Sequence, residues 1–325
     1  MRFVTRRFFF YLVAFFAAAT FNFILPRMMP GDPITAMFSS QGTPLPLESL
    51  EALKETFGFI DGPLHLQYFA YIKSVFTWDL GYSVQYYPQS VNDVLNRSIL
   101  WTLFLVGVSS LISFSIGSIA GIYAAWNRGG VFDTLFSPLS LVMQSMPAVI
   151  ISLLFLFTFG VALDWLPTGY AYNIDLDPGF TYAYLSSVFE HSLMPIITLV
   201  IVQVGGYLIT IRNNMINLLG EDYIVMARAK GLSELRVMLN YGARNAILPS
   251  VTTFAMTIGV VLGGSLITEY VFNYPGLGNT LYQAIVNRDY PVIQGQLLMM
   301  TLAMLSMNFL ADMAYVFLDP RLRNA

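Results

Sequence analysis

Cysteine is absent from the 325 residues, and histidine occurs only as His65 and His191. No disulfide, thiolate zinc site or cysteine nucleophile is available, and neither histidine lies in an HExxH pattern or near a second ligand. Charge is scarce as well. Asp, Glu, Lys and Arg make up 11% of the chain against 56% hydrophobic residues, with a mean hydropathy of +0.63. So few charges cannot cover a water-facing globule, and the chain is expected in a bilayer. A phosphate loop of the form GxxxxGK[ST] is missing, and so is a GxSxG elbow, which leaves no ATPase site and no serine nucleophile legible in the sequence. No internal repeat is evident, so an inverted-repeat carrier gains no support.

Long apolar runs are what the chain has instead. Arg2, Arg6 and Arg7 precede an almost uninterrupted apolar stretch over residues 8–25. A cleaved signal peptide has an apolar core of roughly 7 to 15 residues, so this longer run reads as an anchor that stays. Five further spans are expected at 99–126, 134–163, 193–211, 251–272 and 292–318. Each reaches across about 30 Å of hydrocarbon at a helical rise of about 1.5 Å per residue. The expected fold is therefore an all-α integral membrane protein with six transmembrane helices, because a barrel would show short alternating strands. Gly117 with Gly121, and Gly259 with Gly263, stand four apart and read as close helix crossings; Pro147 and Pro195 are expected to kink their helices.

Between the first two spans, residues 28–97 form an enlarged loop that reads as an ordered cap rather than a linker. It carries one helical patch over Leu47, Leu50, Leu53 and Phe57 and another over residues 64–76. Domain organisation follows: 1–27 for the N-terminal end and first span, 28–97 for the cap, 98–318 for a five-helix core, and 319–325 for the C-terminal end. If both termini are cytoplasmic, the inside receives Arg2, Arg6, Arg7, Arg128, Arg212, Arg228, Lys230, Arg236, Arg244, Arg321 and Arg323. The outside keeps Arg27, Lys54, Lys73, Arg97 and Arg288. That 11-to-5 division of the 16 basic residues favours this orientation.

One long polar interruption stands out within the core, the loop 216–249. Glu221 and Asp222 open a short helix through Tyr223 and Ala227 that Arg228 and Lys230 close, as a helix dipole favours, with Gly231 at the C-cap ahead of Leu232. Its small residues Ala227 and Ala229 permit a close backbone approach, and Ser233 reads as the cap of a second helix. The run Asp222-Tyr223, then Ala227 to Leu232, then Arg244-Asn245-Ala246 and Leu248-Pro249, resembles the "EAA" loop of permease subunits in binding-protein-dependent ABC importers. The dipeptide/oligopeptide branch is the most similar. Val225 and Met226 replace the general pattern's Glu and first Ala, and Leu248-Pro249 lies farther from Gly231 than in sugar-type permeases, a spacing the peptide branch shares. Pro30-Gly31-Asp32-Pro33, Asp79-Leu80-Gly81-Tyr82-Ser83, the string from Glu269 to Gly278 and Arg288-Asp289-Tyr290-Pro291 also resemble that branch.

The resemblance implies a type I ABC importer permease fold in the inner cell membrane, forming half of the translocation pathway. It implies that Glu221, Asp222, Tyr223, Ala227, Arg228, Ala229, Lys230, Gly231 and Leu232 form the coupling loop that seats in an ATPase subunit, with Ala227 at the tight position. Implied partners are a second homologous permease, two ATPase subunits and an external substrate-binding protein, besides the lipid bilayer; no nucleic acid is implied. No cofactor is expected on this chain, which is not itself an enzyme; ATP and Mg belong to the ATPase subunits. Peptides are the expected cargo, with oligosaccharides such as beta-glucan oligomers as the alternative. A self-contained channel or secondary carrier is the competing class, and it wants charges along several spans. Two acids fall within the expected spans. Asp312, in the sixth span, reads as a paired or snorkelling acid. Glu269, closing the fifth, reads either as solvated at the interface or as lining an outer gate.

Overall fold

The computed structural model describes residues 2–28, 63–260 and 265–318, and among these the chain is helical apart from turns and one isolated bridge, Tyr82 to Ser90. The helical patch over 47–57 and the C-terminal end 319–325 lie outside the described residues. Two compact units emerge: one comprises Met1–Thr102, Leu262–Leu266 and Pro275–Ala325, the other Leu103–Val261 and Ile267–Tyr274.

In the first unit, α1 (Arg2–Met28) packs along α13 (Tyr290–Leu318), with the Phe309 ring edge-on to Phe8 and Tyr11. Asn22 donates to the Gln294 carbonyl at 2.8 Å and Gln294 returns a bond to the Asn22 carbonyl at 3.3 Å. Reciprocal amide bonds of this kind fasten helices where lipid offers no competing partner. The second helix, α2 (Leu64–Thr77), matches the expected patch over 64–76 and lays Tyr68 and Tyr71 against Phe23. Ser90 caps α3 (Val91–Trp126): its hydroxyl accepts from the Asp93 amide, satisfying one of the free amides of the first turn, and donates to the Asp93 carboxylate. Val91 and Leu95 then pack with α12 (Leu277–Val286) and the start of α13, and a Cβ on Gly295 would meet Val91 at 2.7 Å.

Asp289 fastens this unit from within. Fully buried, its carboxylate accepts from the Ser83 hydroxyl, the amides of Val84 and Gln85 at 3.1 and 3.0 Å, and the Val292 amide at 3.3 Å. Two stretches that carry the family resemblance 206 residues apart are thus one physical feature.

The second unit holds α4 (Val131–Ser145), α5 (Ala148–Phe155) with a π-helical continuation (Leu156–Ala162), and α6 (Tyr182–Leu218). The expected span 134–163 is not one straight helix: α4 and the α5 segment meet at 96° across Met146 and Pro147. Pro147 has no amide to give a continuing helix and instead stands at the N-cap of α5, so the expected kink is a full break. Pro195, by contrast, is buried inside an α6 that runs on. The Gly117 and Gly121 crossing is realised, since added Cβ atoms would come within 2.6 Å of Tyr207 Cβ and of the Leu208 carbonyl oxygen on α6. Gly205 on α6 faces the Ser140 carbonyl at 2.4 Å from such a Cβ, so α4 and α6 touch backbone to backbone there. Gly259 and Gly263 fall outside the described side chains.

The next expected span, 251–272, is described as α10 (Leu248–Val260) and α11 (Leu266–Val271), on either side of residues 261–264, which lie outside the described residues. Among the described residues four helices, α1, α3, α6 and α13, are long and apolar enough to cross a membrane, five with the bent α4–α5 pair.

Candidate functional site

The polar loop folds as α7 (Asp222–Ala229), α8 (Glu234–Arg236), a π-helical turn (Val237–Ala243) and α9 (Arg244–Ala246) leading into α10. The expected stop at Gly231 is present in full. Gly231 has φ +74, its amide donates to the Arg228 carbonyl at 2.9 Å, and the Leu232 amide reaches back to Ala227 at 3.4 Å. This double return is the Schellman closure, and it requires a left-handed residue where only glycine is unstrained.

Side chains of α7 divide by face. Ile224 and Ala227 are buried with Val237, and Trp126, Tyr223, Leu232 and Tyr241 close over them. The close approach that Ala227 allows, at 2% exposure, is therefore made to this chain's own π-helical turn. On the outer face stand Glu221, Asp222, Ala229, Lys230 and, at 58% and 59% exposure, Val225 and Met226. Arg228 lies over the Trp126 ring at 5.4 Å and pairs with Glu234 at 3.4 Å, tying α7 to the end of α3 and the start of α8. Tyr223 OH accepts from Asn245 at 3.3 Å.

The loop is anchored on α3 and α6. Ile122, Ala125, Ile211, Met215, Ala243 and Ala246 form one buried cluster, and Asn214 donates to the Ala246 carbonyl at 3.3 Å. One turn above, Arg212 grips the buried Asp133 of α4 through two nitrogens, one at 2.8 Å; Asp133 also accepts from the Gly129 amide at 2.9 Å and the Ser137 hydroxyl at 2.8 Å. Such fork-on-carboxylate geometry is directional as well as strong.

Glu269 lies in α11 and is fully buried. Tyr274 follows, also fully buried; burial pushes its phenol up to about 12, the Ser192 hydroxyl bond acts in the opposite direction, and the Glu269 charge adds a smaller push upward. Asp312 lies within α13, and its side chain is outside those described. Reading single residues missed the Asp133–Arg212 and Ser83–Asp289 pairs, because contacts 79 and 206 residues apart leave no local spacing to find.

Residues 117–324 match the binding-protein-dependent transport system inner membrane component, and residues 1–88 match the N-terminal membrane component of the same systems. The chain belongs to this permease family. A putative peptide permease of Brucella suis biovar 1 (strain 1330) is 35% identical over 301 residues, covering 93% of this chain and 92% of that protein. The di/tripeptide transport system permease DppB of Pseudomonas aeruginosa (strain UCBPP-PA14) is 32% identical over 338 residues, covering 100% and 99%. The glutathione transport system permease GsiC of Escherichia coli (strain K12) is 31% identical over 323 residues, covering 99% of each. The permease is thus of the dipeptide/oligopeptide type, an all-helical membrane component of an importer, and the α7 loop falls inside the matched region.

Proposed function

We propose that the permease forms half of the pathway for di- and oligopeptides in an ATP-driven importer, with α7 as the segment that seats in an ATPase subunit. The observation that carries this is the two-faced helix. Its inner face fastens to α3 and to the π-helical turn, while Val225 and Met226 face outward and are more than half exposed among the described residues. Exposed apolar residues on a loop rich in charge suit a protein partner better than water. Glu221, Asp222, Arg228, Ala229 and Lys230 rim that patch, and Gly231 with Leu232 turns the chain back toward the bilayer.

The rest of the reading follows the family. Six spans are reached by counting the bent α4–α5 pair and the α10–α11 segment as one each, and both termini are cytoplasmic, in keeping with the basic residues. A second related permease completes the pathway, two ATPase subunits hold ATP and Mg, and an external binding protein delivers the peptide. This chain holds no cofactor and performs no hydrolysis. Glu269, buried beside Tyr274, contributes to the outer gate, and Asp312 is an acid of the last span. Peptides are favoured over oligosaccharides because the relatives are named for peptide and glutathione transport. Uptake of labelled trialanine by vesicles holding this chain with all its partners, and none when any partner is omitted, is the expected result. ATP hydrolysis or uptake by the purified chain alone would overturn the assignment.

A further inference from the structure

An open cleft of about 680 Å³ lies in the second unit, between residues 167–176 and the first turns of α6. Its lining includes Tyr170, Tyr172, Asn173, Tyr182, Glu190 and His191. The wall is held in shape by specific bonds. Tyr170 sits at φ +66 with its amide donating to the Phe272 carbonyl at 3.1 Å, and the Asn173 amide donates to the Ser187 hydroxyl at 2.8 Å. A left-handed tyrosine is uncommon and persists only where its surroundings hold it. The Tyr172 and Tyr184 rings pair at 5.0 Å. His191 Nδ1 lies 2.8 Å from the Ser187 carbonyl, which only accepts, so Nδ1 donates there and ties the ring to the wall.

Charge then selects the ligand. Residues 163–192 contain Asp164, Asp175, Asp177 and Glu190 and not one Lys or Arg. Tyrosine faces and a carboxylate favour a cation, whereas no Lys or Arg stands among the described residues of the wall to meet a carboxylate or phosphate. A cleft of this size suits a di- or tripeptide. We propose that it binds the ammonium end of a short peptide, with Glu190 meeting the α-ammonium and Tyr170 and Tyr182 flanking the chain. This rests on the importer reading for which side of the membrane the cleft faces, and it adds a peptide site on the permease itself, apart from the binding protein.

Ala183→Cys places a single thiol at the cleft in a chain without native cysteine. In the complete importer in nanodiscs, without binding protein, maleimide labelling of that thiol is timed with trialanine, N-acetyl-trialanine or cellotriose. Trialanine is expected to slow labelling, and the two others to leave it unchanged. Glu190→Gln, an exposed change that should not disturb folding, is expected to raise the half-protecting concentration roughly threefold to fivefold, the scale of an exposed ion pair. Equal protection by the acetylated peptide, protection by cellotriose, no protection at all, or an unchanged Glu190→Gln value would each overturn the proposal. Trialanine uptake by the same importer with binding protein separates the two readings: normal uptake without protection removes only the cleft, while no uptake removes the importer assignment.

Discussion

At the scale of single residues, Gly231 and the pair Val225–Met226 carry different burdens. A Cβ on Gly231 would meet nothing within 4 Å, so the cost of Gly231→Val is conformational: φ +74 is strained for a branched residue, at about 1 kcal/mol or more. The expected outcome is a chain inserted at normal abundance whose α7 is misdirected, read as a loss of ATPase co-purification and uptake that exceeds any drop in melting temperature. Ala227→Trp belongs to another class. With Ala227 buried against Val237, the indole would have to displace the chain's own turn, so overpacking by roughly 1 to 3 kcal/mol should lower stability and association together. The order of these effects is measurable by comparing thermal unfolding with co-purification for each variant. Much of this site was legible beforehand: acids before bases, small residues and a terminal glycine announce a capped helix. Which face Ala227 would turn inward was not, because that depends on Val237 and Trp126, and no pattern within α7 encodes their position.

At the scale of elements, the second unit is a set of backbone-close crossings clamped by the Asp133–Arg212 ion pair. Gly205→Ala adds a methyl 2.4 Å from the Ser140 carbonyl, so α4 and α6 must separate; a loss of roughly 1 to 3 kcal/mol in detergent unfolding is expected, against almost none for an alanine at Gly220, where nothing lies within 4 Å. Asp133→Asn should cost roughly 1.5 to 3 kcal/mol by leaving the part-buried Arg212 without its counter-charge, and Arg212→Met alone a similar amount. The double variant should recover part of the loss, and strict additivity of the two would mean the pair is not coupled. Apolar run length located the cores of α1, α3, α6 and α13, because burial in lipid imposes length directly, but not their ends: α3 begins at Val91 rather than 99, and α6 runs from Tyr182 to Leu218 rather than over 193–211. It did not locate the right-angle break at Met146–Pro147. A proline in an apolar run is also compatible with a helix that continues through it, as α6 does through Pro195, and the choice is made by what packs beside it.

For the whole molecule, the account is one of sidedness. Tyr182, at 89% exposure, belongs outside in the proposed orientation, and Ala229 belongs inside. With no native thiol to interfere, Tyr182→Cys should label from the outer face of intact cells and Ala229→Cys only after the membrane is opened; the reverse pattern would invert the topology. The 11-to-5 division of basic residues is the ground for proposing that orientation, whereas the proposed assembly rests on the family resemblance. The most direct test of the central claim, that α7 is the ATPase seat, is the yield of ATPase subunits co-purifying with Val225→Asp/Met226→Asp at equal membrane abundance. Both positions face away from the chain's own core, so a sharp fall with unchanged thermal unfolding is predicted, and wild-type yields would contradict it.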